Sequence, residues 1–419
     1  MYHGNSYARG IPADNSALYS MALFLIAATA IVMRVALPAP LIDLFTNYTA
    51  DEGSIIEKIH PGTYAIAGVF AIVLATRRSL LDAWSYRAAK ALVSFSAALI
   101  LLMTYLVLSR RTGVAGYLID SYFAAVLAGL TMLLLPPQMR VRIGNLVLIV
   151  LAISALLAIF EFSTHMRLLP YAYTGSVFRA TGLAGHHLAL GLFCATAIPF
   201  LAGSNWKPFA KFAAIAILFV GAAAANARIA MIFASVAVGF VVLSMPMRGQ
   251  SDAQRMQLKT LAIIAGMIIL IGGVTVLALS GFLERLSGGF SDSSSMARIE
   301  VYKLFSMTGW RDILFGADMG RIDKLAELRL GLKTIESSLV VAVYQFGAIA
   351  ALLLIVGFPM TLLRLLAGAT PTAWAGAAVF LGVALANNTL TTKTPVVVVI
   401  FVLLIAAQAR PLPRTTDLG

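Results

Sequence analysis

The chain has 419 residues, of which 60% are hydrophobic and 12% charged, with a mean hydropathy of +0.91. A water-soluble domain of this length has too few interior positions to hide so much apolar surface, which excludes a soluble enzyme or binding module. The formal net charge of +13 comes from basic residues scattered through short loops, without a basic stripe interleaved with aromatics, which argues against nucleic acid as a partner.

Repeated apolar runs of about 17–22 residues match the hydrocarbon thickness of a bilayer. The expected fold is all-α: a polytopic integral membrane protein with about twelve transmembrane helices. Residues 1–17 are polar, and too long and too weakly basic for the start of an ordinary signal peptide, so they read as a cytoplasmic tail. An uncleaved first span follows at 18–37. Further spans are expected near 62–76, 88–108, 115–135, 143–162, 186–202, 209–225, 227–244 and 259–280, closing a first block, 18–280. A long loop, 281–336, leads to a second block, 337–409, with spans near 337–363, 372–386 and 395–409 and a short tail, 410–419. The single cysteine, Cys194, lies in an apolar run and reads as a small core residue, which leaves no internal disulfide and no cysteine metal site.

Parity then orients the chain. With the N-terminus inside, the cytoplasmic segments hold fifteen basic residues, against eight in the short outer loops. The positive-inside rule therefore predicts cytoplasmic termini and an outward-facing long loop. That loop begins with the flexible SGGFSDSSS and shows helical spacing over 297–307. WRDILFGADMGR and the charged run DKLAELRLGLK follow. A long, ordered-looking loop in a compact membrane protein is more often functional than decorative. No sequence repeat or inverted repeat is visible, which weighs against many transporter folds.

Two arginines stand out on the outer side: Arg179 in FRATGLAGHHLALG and Arg228 in ANARIAMIFAS. A guanidinium near hydrocarbon costs several kcal/mol unless something pairs with it, and its planar five-donor fork suits bidentate phosphate capture. Arg179 reads either as an interfacial side chain snorkelling to headgroups or as a ligand-binding group. Arg228, flanked by apolar residues on both sides, reads more strongly as paired with a buried partner or an anionic ligand.

The remaining ionisable groups offer fewer readings. His186 and His187 are adjacent and point about 100° apart on a helix, so they do not suit one metal, and terminal packing competes with catalysis. His60 and His165 fall in ordinary loop settings. Asp120 is expected to pair with the Arg110–Arg111 loop, and Glu161 lies near the outer end of span five. Glu336 opens KTIESSLVVAVYQFG, where a first-turn acid is favourable for dipole reasons and where a carboxylate beside arginines could also act as a general base.

Taken together, FRATGLAGHHLALG resembles the Arg-x-x-Gly…His segment of the O-antigen ligase and Wzy-type polysaccharide polymerase superfamily, with Arg179, Gly182 and His186 on the matching positions. ANARIAMIFASVAVG resembles the superfamily's Ser-Arg-Gly helix start, with Arg228 on the arginine. WRDILFGADMGR and IESSLVVAVYQFGAIAALLL resemble its outer loop and the helix that follows. The resemblance covers about 178–354, and it departs at His187 and Leu188, which replace a Pro-Asn, at Ala227, which replaces the serine, and at Glu336, where ligases place a histidine.

The resemblance implies a metal-independent, cofactor-free, inverting glycosyltransferase at the periplasmic face of a bacterial inner membrane. Its donor would be a glycan on undecaprenyl diphosphate, and its acceptor a glycan or lipid. A flippase or a chain-length regulator would be a partner, and membrane lipids would surround it. In that scheme Arg179 and Arg228 hold the diphosphate, with Arg298, Arg311 and Arg321 as secondary contacts. Glu336 is the first choice of base and His186 the second. The glutamate fits a divergent exopolysaccharide or capsule polymerase better than a ligase acting on lipid-A core. A polysaccharide-precursor transporter or flippase is the competing class, and it would need polar or broken helices near the midplane.

Overall fold

The computed structural model describes residues 13–49, 54, 56–76, 81–111, 113, 115–171, 178–244, isolated helical positions between 256 and 271, 299–332 and 334–409. Among these residues the architecture is helical throughout, with no strand. Five helices are long and apolar enough to cross a membrane: α1 (Ala13–Ala36, with its apolar part from Leu18), α3 (Ala83–Leu108), α4 (Ala115–Leu134), α5 (Pro137–Thr164) and α11 (Ala348–Leu365). Shorter apolar helices are α2 (Pro61–Thr76), α6 (His187–Ala202), α7 (Pro208–Ala224), α8 (Arg228–Ser244), α12 (Pro371–Leu385) and α13 (Val396–Gln408). Two further helices, α9 (Met319–Leu330) and α10 (Ser338–Phe346), complete the numbered set. The chain is a helical membrane protein.

Local chemistry sets the helix starts. Proline opens α2, α5, α7 and α12, where its missing N–H costs nothing and its fixed φ suits the first turn. Asp82 caps α3 by accepting from Ser85 N, and Thr370 caps α12 by accepting from Ala373 N. The first helix begins at Ala13, inside the stretch expected as a polar tail.

Packing places α13 at the centre. Every residue from Val396 to Ala407 is buried, against α4, α5, α6, α11 and α12. A helix that is apolar all round belongs in such an interior position. The outer faces carry exposed Leu101, Leu108, Ile153, Val236, Leu352 and Leu363, which suit contact with lipid chains. Close contacts use small residues: a side chain on Gly191 of α6 would collide with Ala227 and Ala230, so the starts of α6 and α8 sit against each other.

The run expected as one span at 337–363 is two helices, α10 and α11, broken at Gly347, which has φ of 83°. At only nine residues, α10 packs with the preceding loop instead of extending α11. The span expected at 259–280 is described only at scattered helical positions. The tail at 410–419 and the SGGFSDSSS segment lie outside the described residues.

The described part of the long loop, 299–332, is ordered around its own small core of Val301, Leu304, Ile322, Ala326, Ile335 and Tyr344. It is tied down at several points. Phe305 stacks on Tyr344 with ring centroids 5.4 Å apart, and the Ala317 amide donates to Tyr344 O at 2.7 Å. Arg111 and Tyr105 donate to Phe315 O, and Arg111 also donates to Gly316 O at 2.7 Å. Arg111 is thus spent on the loop. Asp120, expected to meet it, is instead buried in a separate network described below.

Candidate functional site

Buried ionisable side chains gather at the end of the bundle where α1 finishes and α6, α8 and α13 begin. The organising group is Glu161, near the end of α5 and fully buried. Its carboxylate accepts from the backbone amides of Thr181 at 2.7 Å, Gly182 at 3.0 Å and Leu168 at 3.2 Å. Three N–H donors satisfy a buried carboxylate without a counter-cation. They also fold the 178–186 turn over the end of α5. Gly182 belongs in that turn: its φ is 49°, and an added Cβ would run into Ser154 O.

The turn carries Arg179, half-buried and directed inward rather than out to headgroups. Its Nη1 lies 2.9 Å from His187 Nε2, and the Tyr171 hydroxyl lies 3.0 Å from His187 Nδ1. A guanidinium only donates, so Nε2 must be the accepting nitrogen and Nδ1 carries the proton toward Tyr171. Arg167 braces the turn. It donates to Arg179 O at 3.0 Å and lies over the rings of Tyr171 and Phe178 at 4.8 and 4.7 Å.

His186 stacks on His187 with centroids 4.5 Å apart and caps α6, its Nδ1 accepting from Leu188 N at 3.2 Å. Burial, reinforced by the Arg179 charge, lowers its pKa from 6.5 to about 4, so the ring is neutral near pH 7. With Nδ1 occupied as acceptor, the proton sits on Nε2. His186 therefore presents a donor at Nε2 in this arrangement.

Arg228 opens α8. The turn before it is bound to the Arg179 turn by the Ala180 amide donating to Ala224 O at 3.2 Å. Arg228 lines a small cavity of about 20 Å³ together with Leu188, Ala230, Val383 and Asn387. Leu188 directly follows His187, so the two arginine turns flank one region. Ser338, two residues after Glu336, donates through its amide and hydroxyl to Asn387 O at 3.2 and 2.7 Å. The Glu336 turn is therefore anchored to the same cavity wall.

The secondary arginines are less central. Arg311 and Arg321 are exposed, and Arg321 pairs with Asp312 within the loop. Arg298 lies outside the described residues.

Sequence reasoning missed two groups of residues. Asn226, at φ 51°, is 6% exposed, and neither of its amide atoms has a hydrogen-bond partner among the described residues. Thr181 Oγ1 on the facing turn is in the same condition. Buried polar atoms are rarely left so, and these two flank the arginine turns. The Asn-Ala-Arg spacing before an apolar helix was the only available signal, and it is a weak one.

The second group surrounds Asp120, in the widened π-helical turn at 118–123 near the start of α4. Its carboxylate accepts from Tyr48 Oη at 2.9 Å, Thr63 Oγ1 at 2.8 Å and His60 N at 3.0 Å. Arg34, which is 1% exposed, donates through Nε and Nη2 to Asp120 O. His60 is no ordinary loop residue: its Nε2 lies 2.8 Å from Leu37 O while Nδ1 accepts from Gly62 N, and burial lowers its pKa to about 3.

Compared with known proteins, the chain matches no protein-family model and no curated sequence.

Proposed function

We propose that the protein is an inner-membrane glycosyltransferase that polymerises or transfers a glycan from a polyprenyl diphosphate at the periplasmic face. The observation that carries this reading is the pairing of Arg179 and Arg228. They stand on two turns joined by a backbone hydrogen bond, one held by Glu161 and one opening α8 beside a cavity.

In the reaction, the Glu336 carboxylate takes the proton of an acceptor hydroxyl as its oxygen attacks the anomeric carbon. The bond from that carbon to the diphosphate oxygen breaks, and the electron pair leaves with the diphosphate. Arg179 and Arg228 stabilise the charge that develops there. Attack opposite the leaving group inverts the anomeric centre. His187, held neutral and oriented by Arg179 and Tyr171, fixes the guanidinium's direction. The loop at 299–332, docked on α3 and α10, covers the donor and shapes acceptor entry. No cofactor or metal takes part in the proposed chemistry. A flippase supplying the donor and a chain-length regulator are the expected partners, and the termini are cytoplasmic.

A transporter or flippase is the second reading, and the placement of charge favours the enzyme. Among the described residues, the buried acidic, basic and histidine side chains, Arg34, His60, Asp120, Arg140, Glu161 and His187, all lie near helix ends. The central helix α13 offers only apolar side chains over 396–407. A midplane transport site would need polarity there.

The test replaces Arg228 or Arg179 by lysine and Glu336 by glutamine, and measures polymer in cells and transfer by purified protein. Lysine keeps the charge and loses the fork, so transfer is expected to fall about 100-fold or more, the scale of losing one transition-state donor. Wild-type polymer from both arginine variants would sink the clamp. An unaffected Glu336→Gln enzyme would remove the base.

A further inference from the structure

A second cavity, of about 100 Å³, lies on the other side of His186, between the end of α1 and the turns that precede α6 and α13. Pro38, Pro40 and Pro395 give it rigid apolar walls; Tyr48, His60 and Thr394 line it as well, and its donor wall is made of Arg34, His186 and Lys393. Each of these presents a donor. Arg34 uses Nε and Nη2 on Asp120 O, and its Nη1 has no protein acceptor among the described residues. Lys393 Nζ, which lies 4.5 Å from the Tyr48 ring centre, spends two of its three protons on Tyr48 O at 2.9 Å and Lys58 O at 3.1 Å, and the third makes no hydrogen bond among the described residues. His186 offers Nε2–H, because its Nδ1 caps α6.

No acid lines this cavity. The nearest carboxylate, Asp120, is committed to Tyr48, Thr63 and the His60 amide. Lys58 and Asp43, which also act on Lys393, offset each other. Arg34 and Lys393 against Asp120 leave a residual charge of about one positive unit in a half-enclosed space. Uncompensated buried charge of that sign is costly and favours an anionic occupant. One unit matches a single carboxylate better than a diphosphate.

We infer that this cavity is the acceptor subsite, and that it binds a sugar bearing one carboxylate, an acidic residue at the end of the acceptor glycan. The inference rests on the proposed function for the identity of the acceptor. His186 is then the wall shared by the two substrates, stacked on His187 on the donor side and donating Nε2–H on the acceptor side.

The experiment uses the purified full chain in detergent and measures binding of glucuronate, glucose and inorganic phosphate by saturation-transfer NMR and competition. Two variants report on the cavity. Lys393→Met removes a cation, and Ala39→Leu fills the space while leaving every cation and hydrogen bond in place, with thermal unfolding followed for both. The expected result is that glucuronate binds at least 10-fold more tightly than glucose and phosphate, and that both variants erase the preference.

Equal binding of glucose and glucuronate would overturn the inference, as would phosphate binding as well as glucuronate, which would mark a free-anion site. An unchanged preference in Ala39→Leu would overturn it even if Lys393→Met fails to fold. Arg228→Lys separates the two levels. Glucuronate preference retained alongside wild-type polymer, in Arg228→Lys and in Arg179→Lys, would overturn the proposed function and the acceptor role with it, leaving only an acidic-sugar site. A lost preference in the cavity variants with normal acceptor use would overturn only the subsite.

Discussion

Arg140 and Arg179 both bring a guanidinium into the bundle, at opposite ends, and they are held in opposite ways. Arg140, 6% exposed in the first turn of α5, donates to Leu135 O at 2.8 Å, Leu133 O at 2.6 Å and Ser85 Oγ at 2.9 Å. All three nitrogens are used as a staple between α3, α4 and α5. Arg179 sits in a turn built by Glu161 and meets a neutral imidazole, His187, with Arg228 on the adjoining turn. A structural arginine ends on backbone carbonyls that need it. Arg179 is instead aimed by a neutral imidazole, on a turn joined to the one that precedes Arg228. Burial alone does not separate them.

The comparison breaks most sharply under lysine substitution at both sites. Arg179→Lys is expected to lower transfer about 100-fold, as for a lost transition-state donor, with little change in melting temperature. Arg140→Lys is expected to lower melting while leaving activity per folded molecule unchanged. Equal loss of activity at both positions, measured on purified protein, would erase the distinction.

Glu161→Gln tests whether the Arg179 turn depends on its buried acceptor. A Gln keeps the shape but turns one oxygen into a donor facing N–H groups. Hydrogen bonds to a charged group are worth about 1.5–3 kcal/mol each, so a loss of about 3 kcal/mol is expected in chemical unfolding. The corresponding staple at the other end is worth less. Arg140→Met leaves Ser85, Leu133 and Leu135 short of a donor, at a cost of about 2 kcal/mol in the same assay.

The smallest expected effect is a pH dependence confined to the polar end. His60 and His186 have pKa values lowered to about 3 and about 4 in the folded protein, mainly by burial, from 6.5 when unfolded. The unfolded chain therefore binds more protons below pH 6.5. Stability from both groups is complete above pH 6.5 and is lost as pH falls toward their folded values. Between pH 7 and 5.5 each histidine is expected to cost about 1 kcal/mol, read as a falling unfolding midpoint. A His186→Asn variant, which keeps a capping oxygen, should remove the His186 share of that slope.

Much of the helix layout was legible because its cause is local. Apolar runs place α2, α7, α8, α12 and α13 close to expectation, whereas α5 opens at Pro137, well before the expected 143. The break at Gly347 was not legible, since an apolar run on both sides of a glycine looks continuous until the loop packs against α10. The site was half legible. Arg179 and Arg228 stood out as charges beside apolar runs, whereas Asn226 had only a weak local signature and Thr181, Arg34 and Lys393 had none. Asp120 was assigned the wrong partner for a related reason: Arg111 is nearer in sequence, but Tyr48, His60 and Thr63 are nearer in space.

The sequence by itself determined that this is a helical membrane protein, and it marked the arginines that do not fit a lipid-facing role. Hydropathy and helical period are sums over neighbouring residues, so they survive without knowledge of the fold. The tertiary structure alone decided what each buried charge faces: Glu161 three amides, Arg179 an imidazole, Arg140 two carbonyls and a hydroxyl. The energy of a buried charge depends on partners within a few ångströms, and those partners come from distant parts of the chain.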